Sequence, residues 1–230
     1  MRIAAIVFAL TGLATVGNAM VFHPWSGAKA VVVVTSPGTG APPGTLGGYS
    51  MVGFPSEGRS EFDMVTDVVA PSGFANLIFD QELELDFVGS GWDSWSHGYG
   101  GAVYQLFEEA VSGRTSLMIT LPPGTLGFYT YIEPNQKDTY QFTVTSGSTT
   151  TTLGINGDGG ARYVGFYTDD TLDPLFSVYV DQPDGLALGF AVGEFGIAQG
   201  QAVPDTGSCL GLMTAALGAL GLFGRRSLRK

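Results

Sequence analysis

Residues able to do chemistry are few in this chain, and their spacing says more than their number. His23 and His97 are its two histidines. Neither stands in HExxH, and no GxSxG elbow is present, so a Ser-His-Asp triad would have to gather from scattered residues with His97 as its base. Carboxylates are plentiful, including Glu108 and Glu109, but abundance in an acidic chain does not mark a tuned acid and base. Glu82, Glu84 and Asp86 alternate, which predicts one solvated strand face with Leu83, Leu85 and Phe87 packed beneath. The run GWDSWSHGYG, residues 91–100, sets three aromatics and a histidine among Gly and Ser without apolar alternation and predicts a loop. Trp92, Trp95 and His97 could contact a sugar ring there, or the aromatics could plug the end of a sheet. Acidic turns occur at residues 156–160, 169–173 and 181–185. Asp169, Asp170 and Asp173 are the candidate calcium ligands, since calcium takes carboxylate and carbonyl oxygens from loops, although Asp and Asn are also ordinary turn residues. No other cofactor is indicated.

The background to these residues is a 230-residue chain that is 44% hydrophobic, enough to bury a core. Its charged fraction is 13%, about half the usual ~25%, and its 35 glycines are about twice the usual share. Glycine penalises helices and serves turns, so the composition favours β structure. Between Met20 and Thr206 lie all 21 acidic residues against five basic ones, a balance that repels phosphate and sets nucleic acid aside as a partner.

Short runs rich in Val, Ile, Phe, Tyr and Thr, separated by Gly, Pro, Asn and Asp, fill residues 30–198 and predict about fourteen strands without interleaved helices, among them 74–79, 82–88, 115–121, 127–132, 186–192 and 195–198. Several alternate with period two, Tyr140, Phe142 and Val144 facing one way and Gln141, Thr143 and Thr145 the other. The fold predicted is all-β, an antiparallel two-sheet sandwich of jelly-roll type, over residues 20–202. Residues 36–48 read as a linker, and Ser146-Gly147-Ser148 as a hairpin tip.

Both ends read as addresses. Residues 1–19, MRIAAIVFALTGLATVGNA, carry Arg2, an apolar run, and Gly17 and Ala19 at the −3 and −1 positions, the form of a secretory signal peptide cleaved after Ala19. At the other end, residues 203–230, the motif Val203-Pro204-Asp205-Thr206-Gly207-Ser208 leads into the uncharged residues 208–224 and then a basic tail, 225–230, beginning Arg225 and Arg226. Seventeen uncharged residues just reach the ~17–25 that a membrane helix needs, and the cations behind them place the tail in the cytoplasm. The single cysteine, Cys209, sits in that apolar stretch as filler, and with one cysteine no intramolecular disulfide can form.

This motif, span and basic tail resemble the PEP-CTERM class of bacterial sorting signals, in its VPDSG-type variant, with Thr206 where that variant has Ser. The resemblance implies export, transient anchoring by the C-terminal helix, and recognition near Val203–Ser208 by an exosortase-type enzyme. The pieces LPPGTLGFYTYIEPN (121–135), INGDGGARYVGFYTDD (155–170) and AVGEFGIAQ (191–199) also resemble a domain found upstream of such tails, which carries no catalytic residues with it. The expectation is a non-enzymatic exported protein of the cell envelope or extracellular matrix, membrane-anchored in transit, with extracellular polysaccharide as a further candidate partner. Two alternatives stay open: a carbohydrate-binding module, and a secreted hydrolase built around His97.

Overall fold

The computed structural model describes residues 31–107 and 115–200. His23, the signal segment 1–19, the motif Val203–Ser208, the apolar residues 208–224, and Arg225 and Arg226 lie outside the described residues.

The described residues form strands and turns only. In chain order the strands are β1 (Val32–Val34), β2 (Thr45–Leu46), β3 (Tyr49–Ser50), β4 (Val52–Gly53), β5 (Met64–Val68), β6 (Leu77–Phe87), β7 (Ala102–Phe107), β8 (Ser116–Pro134), β9 (Thr139–Ser146), β10 (Thr149–Asn156), β11 (Arg162–Tyr167), β12 (Leu175–Asp181) and β13 (Gly189–Gln199). Every pairing between them is antiparallel; β2 and β3 pair with each other, and the remaining eleven are joined through one hydrogen-bonded network.

Three pairs of expected strands are single long strands. β6 absorbs the runs expected at 74–79 and 82–88, β8 those at 115–121 and 127–132, and β13 those at 186–192 and 195–198. In β8 the interruption is Pro122-Pro123, which has no N–H to give a ladder. The strand continues but changes neighbours there: Ser116–Thr120 pairs with β12, while Gly127–Ile132 lies between β11 and β13. β6 likewise pairs with the first half of β8 through Ile78 and Phe79 and with β7 through Glu84–Phe87.

The main core collects alternate residues from these strands, among them Leu83, Leu85, Ile119, Phe128, Phe142, Val192 and Phe195. The β9–β10 hairpin keeps its expected faces, with Phe142 and Val144 fully buried and Gln141 exposed, and Gly147 at φ 56° makes the tip. The second half of β8 is covered on both faces. Phe128 and Ile132 enter the main core, whereas Tyr129 and Tyr131 pack outward with Tyr163 in a separate aromatic cluster. The expected linker 36–48 lies over that cluster: Tyr163 N–H donates to the Gly38 carbonyl at 2.8 Å and the Tyr131 hydroxyl to the Gly40 carbonyl at 2.5 Å.

Candidate functional site

The loop between β6 and β7, residues 88–101, folds back over the outward face of β7, β13 and β8. It is closed by Val88 N–H to the Gly101 carbonyl at 3.1 Å and by the Tyr99 hydroxyl to the Ala102 carbonyl at 3.0 Å. Gly160, at φ 84°, lets the β10–β11 turn pass close to the backbone of Trp95 and Ser96, where a Cβ would stand 3.1 Å from Ser96 N and from the Trp95 carbonyl carbon.

Two carboxylates, Glu133 buried and Glu194 partly buried, receive the loop. Glu133, on β8 opposite Ala191 of β13, is 1% exposed and accepts from Trp92 Nε1 and Ser94 Oγ, both at 2.9 Å. Burial pushes Glu133 up to about 7 against the pull of those two donors. Glu194 owes its position to a β-bulge: the β13 register shifts between Gly193 and Gly196, and Glu194 sits at φ 52°. Without the extra residue Glu194 would follow Phe190 and Val192 into the core; the bulge turns it out toward the loop. There it accepts from Trp95 Nε1 at 3.2 Å and meets His97 Nε2 at 2.7 Å, and burial raises its pKa despite both contacts.

His97, itself at φ 43°, is held at both ring nitrogens, since Nδ1 lies 3.2 Å from the Thr39 carbonyl. A carbonyl can only accept, so Nδ1 carries a proton. The 2.7 Å contact then holds one more, donated by Nε2 to a Glu194 carboxylate or by a protonated Glu194 to Nε2. In either form the pair has no net charge.

The expected site residues are therefore brought together, but inward. Trp92 is 6% exposed and packs on Val103 and Ala191, so its ring is a wall of the fold rather than a free stacking surface. Trp95 is half-buried beside Tyr99, with ring centres 6.1 Å apart. His97 is engaged by Glu194 and Thr39 rather than by a serine and an aspartate. The expected calcium turn is closed on itself: Asp170 Oδ1 accepts from Leu172 N–H at 2.9 Å and the Asp170 carbonyl from Asp173 N–H at 3.2 Å. Among the described residues, Asp169, Asp170 and Asp173 included, no three His, Cys, Asp or Glu side chains are arranged to hold a metal ion.

One expectation about the acidic strand is corrected. Leu83 and Leu85 are fully buried as foreseen, but Asp86 is 1% exposed, because the 88–101 loop covers the end of β6. Gly91 packs directly on its carboxylate, with Glu61 alongside. Neither Asp86 oxygen has a hydrogen-bond partner, and burial first, then the charges of Glu84 and Glu61, push the group up to about 6.

Two hollows flank the loop. One, of about 210 Å³, is polar and lined by Trp92, Asp93, Gln105, Glu133, Asn135 and Lys137. The other, of about 460 Å³, lies by the Glu194 bulge and is lined largely by aromatic rings. Sequence reasoning found the loop but missed Glu133 and Glu194, whose only signal was a charge inside an otherwise apolar strand. Comparison of the chain with protein-family models, curated proteins and solved structures finds no match.

Proposed function

We propose that this chain is an exported, non-enzymatic protein of the cell surface or extracellular matrix. Its β body is a sandwich of jelly-roll type, and a PEP-CTERM-like tail holds it at the membrane until an exosortase-type enzyme acts near Val203–Ser208. The observation that carries the reading is the order of features at the C-terminus: the VPDTGS motif, 17 uncharged residues, then four cations within the last six. The apolar segment matches the hydrocarbon core, and cations after it resist translocation. The site geometry supports binding over hydrolysis, because His97 is held by Glu194 and the Thr39 carbonyl, with no nucleophile between them. Among the described residues no helix is long and apolar enough to cross a membrane, and the proposed span lies outside them.

Mass spectrometry of both ends of the protein from its native envelope tests this. The expected mature chain begins near Met20 and ends within or just before Val203–Ser208. Replacing Arg225 and Arg226 by Gln is expected to reduce retention and processing. Unaltered anchoring and an intact Lys230 would overturn the sorting mechanism.

A carbohydrate-binding role is a second reading, favoured by the polar hollow where the Trp92 indole meets Gln105, Glu133 and Asn135. Chemical-shift changes at the Trp92 indole N–H on adding envelope polysaccharide would support it; their absence would remove it.

A further inference from the structure

The larger hollow arises from the way β13 is paired. β7 runs along Gly189–Gly193 of β13 and β4 along Gly196–Ile197. Between them, opposite the bulge at Glu194, the ladder has no strand, and the gap opens into the cavity of about 460 Å³. That volume falls within the range of ligand sites, ~300–1,000 Å³.

Six rings line it: Phe54, Phe87, Tyr99, Tyr104, Tyr129 and Phe195. They are braced on each other and on the backbone, with Phe54 and Phe195 edge to face at 5.7 Å, Tyr104 and Phe195 at 5.7 Å, and the Tyr99 hydroxyl on the Ala102 carbonyl. Two carboxylates, Glu57 and Glu194, complete the wall, and the lining contains no Lys, Arg or His. Both are engaged from behind. Arg59 bridges Glu57 at 2.6 Å and Asp67 at 2.8 Å, while His97 approaches Glu194 from the loop side. Arg59 thus answers two carboxylates, and Glu57 is saturated by the Gly58 and Arg59 N–H groups, the Arg59 guanidinium and the Tyr104 hydroxyl, which leaves Glu194 as the carboxylate with acceptor sites to spare. The tyrosine phenols stay neutral; burial first and the nearby Glu194 second push Tyr129 up to about 12.

Aromatic faces are negative, and within a desolvated site they attract a cation whose carbons also pack on them. A bare metal ion would find too few oxygens and too much ring, and an anion would meet two carboxylates. A carboxylate offers about four acceptor sites, and Glu194 uses two, on Trp95 and His97. We propose that this cavity binds a small organic cation, an ammonium group bearing methyl or methylene carbons, with its charge against Glu194 and its carbons against the rings. This goes beyond the sorting reading and does not depend on it.

The test uses two probes of one shape, choline and 3,3-dimethylbutan-1-ol, in which a neutral carbon replaces the charged nitrogen. Each is titrated into the full chain by calorimetry, with intrinsic aromatic fluorescence as a second reading. Choline is expected to bind at least about tenfold more tightly than the neutral alcohol, with the preference lost in Glu194→Gln. Equal binding of the two probes, no binding of choline, or unchanged preference in Glu194→Gln would each overturn the proposal. Should Glu194→Gln lose its cooperative unfolding, Phe87→Leu removes a half-buried ring while keeping an apolar side chain and is expected to weaken choline binding. Choline binding unaffected in that variant would count equally against it.

Discussion

Replacing Asp86 by Asn should leave the protein near its parent stability in acid and make it more stable above neutrality. Asp86 is 1% exposed, has no hydrogen-bond partner on either oxygen, and faces Glu84 and Glu61. A carboxyl whose pKa rises on folding binds its proton more tightly in the folded state, so its neutral form costs nothing extra below the unfolded value. The penalty grows as pH rises from 3.8 through about 6 and is complete above it. The rise from 3.8 to about 6 corresponds to ~3 kcal/mol at ~1.4 kcal/mol per pH unit. Because Glu84 and Glu61 reach solvent, part of their repulsion is screened, and about 1–3 kcal/mol is the working range. Asn has nearly the same shape and never ionises. Thermal unfolding of the full chain at pH 4 and pH 8 should then show parent and Asp86→Asn within about 1 kcal/mol in acid. At pH 8 the variant should melt higher by about 2–4 °C for each kcal/mol gained. The difference between the two pH values is the test, since any cost of burying the amide is common to both. A variant destabilised equally at pH 4 and pH 8 would refute the reasoning.

Arg59→Met should cost about 2–3 kcal/mol at pH 7, where it strands Glu57 and Asp67, and little near pH 2. The hydrogen bonds from Arg59 hold Glu57 down to about 2, so its stabilisation is fully present above 4.5 and is lost as pH falls from there through about 2; a cost independent of pH, read by denaturant unfolding, would contradict this. Gly196→Ala should destabilise by about 1–3 kcal/mol, because a Cβ there enters the Tyr129 ring, and the added Tyr129→Leu should recover part of the loss. Additive effects in the double variant, measured by thermal unfolding, would show that the two positions do not clash.

The alternating strands were legible because period-two burial is a local property: Phe142, Val144, Leu83 and Leu85 all face the core as their spacing predicts. What the spacing does not carry is continuity through an interruption. Pro122-Pro123 stops the hydrogen-bond ladder of β8 without stopping the strand, and Gly193–Gly196 inserts a bulge without ending β13. Both look like turns in a list of residue types. The loop at 91–100 was legible as a loop, but not its direction, which depends on partners 41 and 99 residues away in Glu133 and Glu194.

That distance bears on why an acidic chain buries carboxylates at all. Apolar residues at positions 86, 133 and 194 would seal the outward face of β6, β8 and β13 at lower electrostatic cost, since a buried charge helps only when it is fully bonded. Glu133 and Glu194 are each bonded at two points through loop residues alone, two donors from Trp92 and Ser94 for one and two contacts from Trp95 and His97 for the other. The four partners fall within residues 92–97, so the loop has one docked position that satisfies both acids together. The acids therefore add to the loop's own backbone hydrogen bonds in fixing its register. The same docking covers Asp86, which has no partner to offset its burial and so carries the cost of the arrangement. Where the loop stops, at Tyr99 and Gly100, the face opens again into the aromatic cavity beside Glu194.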